Sequence, residues 1–304
     1  SVMTWAAAAD PVLLAGTRFF GGDPLAGEVY GYAHVTPDCR ALIADGTGGH
    51  FAMDGVPPYL RYLLAGGVGF HRENVGSLSS NVRVESNEVA RHVEESLARM
   101  LAEEPPNDGH RRTLLDPDAN AVGIGLAVEG GELRVAHEIA VEACRSAVPP
   151  PHLAPPSTTV RVDGSLDLPW RVASIEVLWE PLPQTMSPAQ ARARGAYRYP
   201  PSRAVFGNGG VGGPSWRGPR PLRFGPGDSF SFSWFTGPAD GVEIEVVWAR
   251  RRATDEPAAV AAFTTVVSSS ALLPPVLERW RSLSLVRPAT AGPRSVRLVG
   301  SRRP

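Results

Sequence analysis

Residue types able to do chemistry are few in this chain: seven histidines and two cysteines among 304 residues. His50 follows Gly48-Gly49, Glu73 precedes Asn74, Glu103 lies just before Pro105-Pro106, and His110 follows Gly109. Neutral imidazoles suit Zn²⁺, Cu²⁺ or Ni²⁺, and a carboxylate can complete or orient such a centre. A Glu beside a metal can also serve as a general base toward water. Each position has a plainer reading as well. His50 can be an exposed loop residue, Glu73 an acceptor for loop amides, His110 a cap on the helix it opens, and Glu103 a solvated acid at a helix end. His34, His71, His92, His137 and His152 carry no supporting pattern.

Other chemistries lack their motifs. There is no Gly-x-Ser-x-Gly turn for a hydrolase nucleophile and no His-Glu-x-x-His. Gly207-Asn-Gly-Gly-Val-Gly-Gly213 is glycine-rich, but it lacks the Lys-Ser/Thr ending of a phosphate loop. Formal net charge is -1 and every basic residue is Arg, which gives no basic excess for a nucleic-acid partner. Arg250-Arg251-Arg252 reads as a solvated edge. No apolar run is long enough for a transmembrane helix. The chain opens at Ser1 with no basic stretch ahead of an apolar one, which reads as a removed signal peptide or as a fragment.

The elements that must hold these residues follow from periodicity. Val89, Val93, Leu97 and Leu101 recur every fourth residue and predict a helix over 87–104, with Ser86 or Asn87 as N-cap. A shorter helix starts near Asp108 and ends at Asp116-Pro117. Val122 to Val128 reads as a buried strand, Gly130-Gly131 as a turn, and Leu133 to Val141 as its hairpin partner. Residues 37–45 read as a short helix, and residues 1–36 have no clear assignment. Pro149 to Pro151 and Pro155-Pro156 predict a stiff linker over 148–157. Beyond it, alternating and β-branched runs such as Ser229-Phe-Ser-Phe-Ser-Trp-Phe235 and Val242-Glu-Ile-Glu-Val-Val-Trp248 predict a small antiparallel sandwich over 158–270. Alternation places Phe230, Phe232 and Trp234 on its core face and Phe235 opposite. Trp216, in a Gly/Pro-rich loop, is a candidate exposed contact. Residues 271–304 form a Pro- and Arg-rich tail.

Arg72-Glu73-Asn74-Val75, then the helix, then Gly109-His110-Arg111, then Val122-Gly-Ile-Gly125 occur in an order that resembles the CAP family (cysteine-rich secretory, antigen 5 and pathogenesis-related proteins). His50-Phe51 and Pro58-Tyr59-Leu60-Arg61-Tyr62 resemble the family's upstream His segment, so the likeness spans residues about 50–142. The resemblance implies an α+β fold: an α-β-α three-layer sandwich over 37–147, followed by the small β-sandwich. It further implies a cavity tetrad of His50, Glu73, Glu103 and His110, with His50 and His110 as ligands of a divalent metal, Zn or Cu. Glu104 is the alternative to Glu103, which is preferred because it follows Met100 by three. The implied function is a secreted or cell-surface binding module for a small-molecule, lipid or cell-envelope ligand. The alternative is a metal-dependent hydrolase using the same cleft. Cys39 and Cys144 are expected to lie close enough to bridge, or else to be two buried thiols.

Overall fold

The computed structural model describes residues 50–284, except 52–53, 65, 83, 85–87, 130, 149, 151, 195, 208–209, 213–221 and 225–227. Residues 1–36, the expected helix over 37–45, Cys39, Trp216 and the chain beyond 284 lie outside the described residues.

Strand β1 (Phe70–Ser79) pairs antiparallel with β3 (Glu132–Val141), which pairs antiparallel with β2 (Ala121–Glu129), giving the order β1-β3-β2. The expected hairpin is β2-β3. Helix α1 (Pro58–Leu64) precedes β1, and α2 (Val89–Leu101) and α3 (Gly109–Leu114) connect β1 to β2. Among the described side chains of α2, Val89, Val93, Ser96 and Met100 are buried, whereas Leu101 is exposed. A strict fourfold row drifts about 40° per step around a 3.6-residue helix. It therefore leaves the core by Leu101, and a mixed three-and-four spacing replaces it.

The remaining strands form two sheets. One has the order β10 (Leu222–Phe224), β11 (Ser229–Phe235), β6 (Thr159–Leu166), β4 (Cys144–Val148). The other runs β5 (Leu153–Ala154), β13 (Ala258–Val267), β12 (Gly241–Arg250), β7 (Arg171–Glu180), β8 (Ser202–Gly207), β9 (Gly210–Gly212). Val162, Phe232 and Trp234 of the first sheet share a core with Ile175, Val247 and Phe263 of the second, so these two sheets pack face to face. Phe230, Phe232 and Trp234 are buried there and Phe235 is exposed. Residues 148–157, read as a linker, supply the end of β4 and all of β5, and β5 pairs in parallel with β13.

The expected α-β-α three-layer sandwich is not what the chain forms. The described residues are mostly strand, in three sheets, with five helices of which the longest has 13 residues. One face of the three-stranded sheet is covered by α2 and α3: Val89 and Val93 pack with Leu133 and Val135. Among the described residues, the opposite face carries the short helix α1 and no further helix layer. Ala121 and Ala140 share a core with α1 and with Val242, Ile244, Val246, Ala262 and Val266 of the six-stranded sheet. The six-stranded sheet is buried on both faces, and such a sheet needs cover on both. It occupies the place of the outer helix layer, and the two halves of the chain share one core. Helix α4 (Pro188–Arg194) lies in the β7–β8 connection, and α5 (Pro275–Ser284) puts Leu277 into the shared core. Cys144 is a buried free thiol, pushed up to about 12 by burial.

Candidate functional site

The four residues singled out from the sequence come together as two pairs. His50 Nδ1 lies 2.9 Å from Glu73 Oε1. Glu103 Oε1 lies 2.5 Å from His110 Nδ1, and its Oε2 accepts the His110 backbone N–H at 3.0 Å. Glu103 thus caps the start of α3. Glu73 and Asn74 are consecutive on β1, so their side chains leave opposite faces of the sheet. Glu73 meets α1, where Arg61 Nη2 donates to its Oε2 at 2.9 Å. The Asn74 amide donates to the His110 carbonyl at 3.0 Å. The two pairs therefore sit on opposite faces. Among the described residues, no group of three or more His, Cys, Asp or Glu is placed to hold a metal ion. As arranged, His50 and His110 do not fit a single ion ligated by both imidazoles.

The Glu73 side is a buried polar cluster. Glu73 stands directly across from Glu138 of β3, and both carboxyls are buried. Burial pushes the Glu73 carboxyl up, but the Arg61 guanidinium and the bond from His50 outweigh it and hold the group well below the usual carboxylate range. Glu138 goes the other way, raised by burial and by the neighbouring Glu73 charge. Like charges this close cannot both ionise, so Glu138 carries the proton. Its Oε1 has no hydrogen-bond partner among the described residues. His71, two residues before Glu73 and on the same face, contacts the other Glu138 oxygen. Burial lowers the His71 imidazole to about 3 and keeps it neutral.

β1 is an edge strand, and its open edge is closed by a segment from the other half of the chain. The Glu73 N–H donates to the Tyr197 hydroxyl at 2.6 Å, and the Tyr199 hydroxyl donates to the His71 carbonyl at 2.9 Å. Residues 71 and 73 direct their backbone polar groups away from β3, and the two tyrosines share that two-residue spacing. The Tyr197 ring meets His50 edge-on at 4.8 Å. The Tyr199 ring lies between Tyr59 at 4.4 Å and Phe70 at 4.8 Å. The connection is anchored upstream as well. The Arg194 guanidinium sits 4.3 Å from the Phe51 ring. Gly55, at φ +72°, lies so close to the Gln184 carbonyl that a Cβ would collide with it.

The opposite face is more open. The His110 and Glu103 side chains are 38% and 23% exposed. Burial raises the Glu103 carboxyl, but the bonds from His110 and the α3 amides outweigh it and lower the group. Beside them His137, opposite Asn74 on β3, is buried with no partner at either ring nitrogen among the described residues. Burial first, then the His110 charge, lowers its imidazole to about 4. Sequence reasoning missed Arg61, Glu138, His71, His137 and the two tyrosines as site residues. The available signals were the two-residue spacings 71/73 and 197/199, which share a strand face or edge. No helix among the described residues is long and apolar enough to cross a membrane. No family model matches the chain, and no curated protein matches it.

Proposed function

We propose that the protein is a secreted or cell-surface binding module of CAP-like sequence, taking a small-molecule, lipid or cell-envelope ligand without turning it over. One observation carries this reading. Glu73, the acid a hydrolytic cleft would need as base, has one oxygen on Arg61 and the other on His50, and is held far below neutrality. A general base works best with a pKa near the working pH, so this carboxylate is a weak one. Glu103, bonded to His110 and to the start of α3, is lowered too. The cluster serves to fix the shape of the β1 edge. The hydrolase alternative rests on His137, whose bare nitrogens lie on the His110 side.

The test is a turnover screen with ester, amide and glycoside substrates, with and without added Zn²⁺ or Cu²⁺, run beside thermal-shift measurements with lipid and cell-envelope fractions. The binding reading expects a ligand-dependent rise in melting temperature, since a ligand that binds only the folded state stabilises it. It expects no turnover that depends on the cluster. Turnover abolished by both Glu73→Gln and His110→Ala would overturn it.

A further inference from the structure

The β7–β8 connection is long for a link between neighbouring antiparallel strands, and such loops usually carry a role. This one runs from Pro181 to Pro201, contains α4, and lays Tyr197-Arg198-Tyr199 along the edge of β1. What it covers has the makings of a peptide site. The edge offers an outward N–H at Glu73 and an outward C=O at His71. Tyr59 and Phe70 form a slot that holds one phenol ring on both faces, and His50 gives a second aromatic contact two residues along. Arg198, between the two tyrosines, is exposed, as a residue between two edge-facing neighbours should be.

We propose that the β1 edge is a docking site for an extended peptide of a partner protein bearing tyrosines at alternate positions. In the free protein, Tyr197 and Tyr199 occupy it as a built-in stand-in. The inference rests on the reading of this protein as a binding module and gives it a peptide ligand beside the small-molecule, lipid or cell-envelope ligand proposed above. Edge recognition of this kind takes specificity from pockets for alternate side chains. Here the two pockets end in a backbone donor and a backbone acceptor, each matched to a phenolic hydroxyl, so Phe in place of Tyr leaves both unpaired. A tethered occupant competes at an effective concentration of roughly millimolar, which masks the site from dilute peptide until the strap is weakened.

The probe is a fluorescein-labelled peptide with the sequence of residues 195–201, followed by anisotropy against the full chain. Y197A/Y199A should bind it at least about tenfold more tightly than the unaltered protein, because the tethered competitor is gone. A peptide with Phe at both tyrosine positions should bind about tenfold more weakly than the Tyr peptide. A second variant, Y197F/Y199F, keeps the rings and guards against misfolding of the first. In it, hydrogen exchange at the Glu73 amide should speed up by about tenfold while the β3 amides stay protected. Equal binding by both proteins, equal binding of the Tyr and Phe peptides, self-association of the alanine variant in place of peptide capture, or unchanged exchange at Glu73 would each overturn the proposal. A protein that ignores the peptide yet is stabilised by an envelope fraction would refute this ligand class and leave the binding reading intact.

Discussion

Glu245→Gln should stabilise the protein strongly at pH 8 and hardly at all near pH 4. Glu245 is fully buried on β12, where it faces the interior of the two-sheet sandwich, and neither of its carboxyl oxygens has a partner among the described residues. Its neighbours across the strands are Val177 of β7 and Phe263 of β13. Burial raises the carboxyl from 4.5 to about 8, against smaller opposing effects of its own backbone N–H and the Arg203 charge. Below about 4.5 the group is protonated in both folded and unfolded chains, so it adds no pH dependence there. Between 4.5 and about 8 the unfolded chain has released this proton and the folded one keeps it. The folded state then binds more protons, and stability falls as pH rises. At about 1.4 kcal/mol per pH unit, the loss across that window is on the order of 4 kcal/mol. Glutamine cannot ionise and removes the slope. Urea unfolding at a series of pH values from 4 to 8 reads this directly. Parallel curves for the two proteins would show that Glu245 is ionised or solvated at neutral pH.

The second large effect is expected at Arg61. Its guanidinium is buried and donates to the His50 carbonyl at 3.0 Å, the Val56 carbonyl at 2.8 Å and Glu73 Oε2 at 2.9 Å. Arg61→Met keeps most of the volume and leaves Glu73 as a buried charge facing Glu138. Breaking a buried pair from one side costs about 3–5 kcal/mol. The cost should be greatest at neutral pH and above and should shrink on acidification, because without Arg61 the carboxyl of Glu73 escapes by taking a proton. Adding Glu73→Gln to Arg61→Met should recover part of the loss. Denaturant unfolding of the two single variants and the double variant gives the coupling. An Arg61→Met protein within about 1 kcal/mol of the original would mean that the guanidinium pairs no better than a surface ion pair.

These two residues also show where sequence reasoning stops. Val242-Glu-Ile-Glu-Val-Val-Trp248 alternates like a strand with one wet face, yet every residue from Gly241 to Val247 is buried. The alternation is real, but its polar face turns toward the four-stranded sheet, where Glu243 binds the Trp234 indole N–H at 2.9 Å. Nothing local distinguishes a glutamate facing water from one facing another sheet. Local periodicity did carry the β2-β3 hairpin, α2, and the split of Phe230, Phe232 and Trp234 from Phe235, because each depends on one element's own repeat. Glu73 across from Glu138, Tyr199 between Tyr59 and Phe70, and the shared core joining Ala140 to Val246 are matters of register and layer packing. Such contacts join residues far apart in the chain. The Pro-rich run at 148–157 illustrates the same limit: its composition reads as a spacer, while it holds β5 of the six-stranded sheet between β4 and β6 of the four-stranded one.

The central claim is that His50–Glu73 and His110–Glu103 are separate devices on opposite faces of one sheet. Calorimetric titration of Zn²⁺ or Cu²⁺ into the unaltered protein, His50→Ala, His110→Ala and the double variant tests it most directly. The account predicts that His50→Ala leaves any metal affinity within about twofold, and that the double variant behaves as the sum of the single ones. If each single substitution costs more than about tenfold and the double variant loses no more than either, both imidazoles hold one ion and the account is wrong.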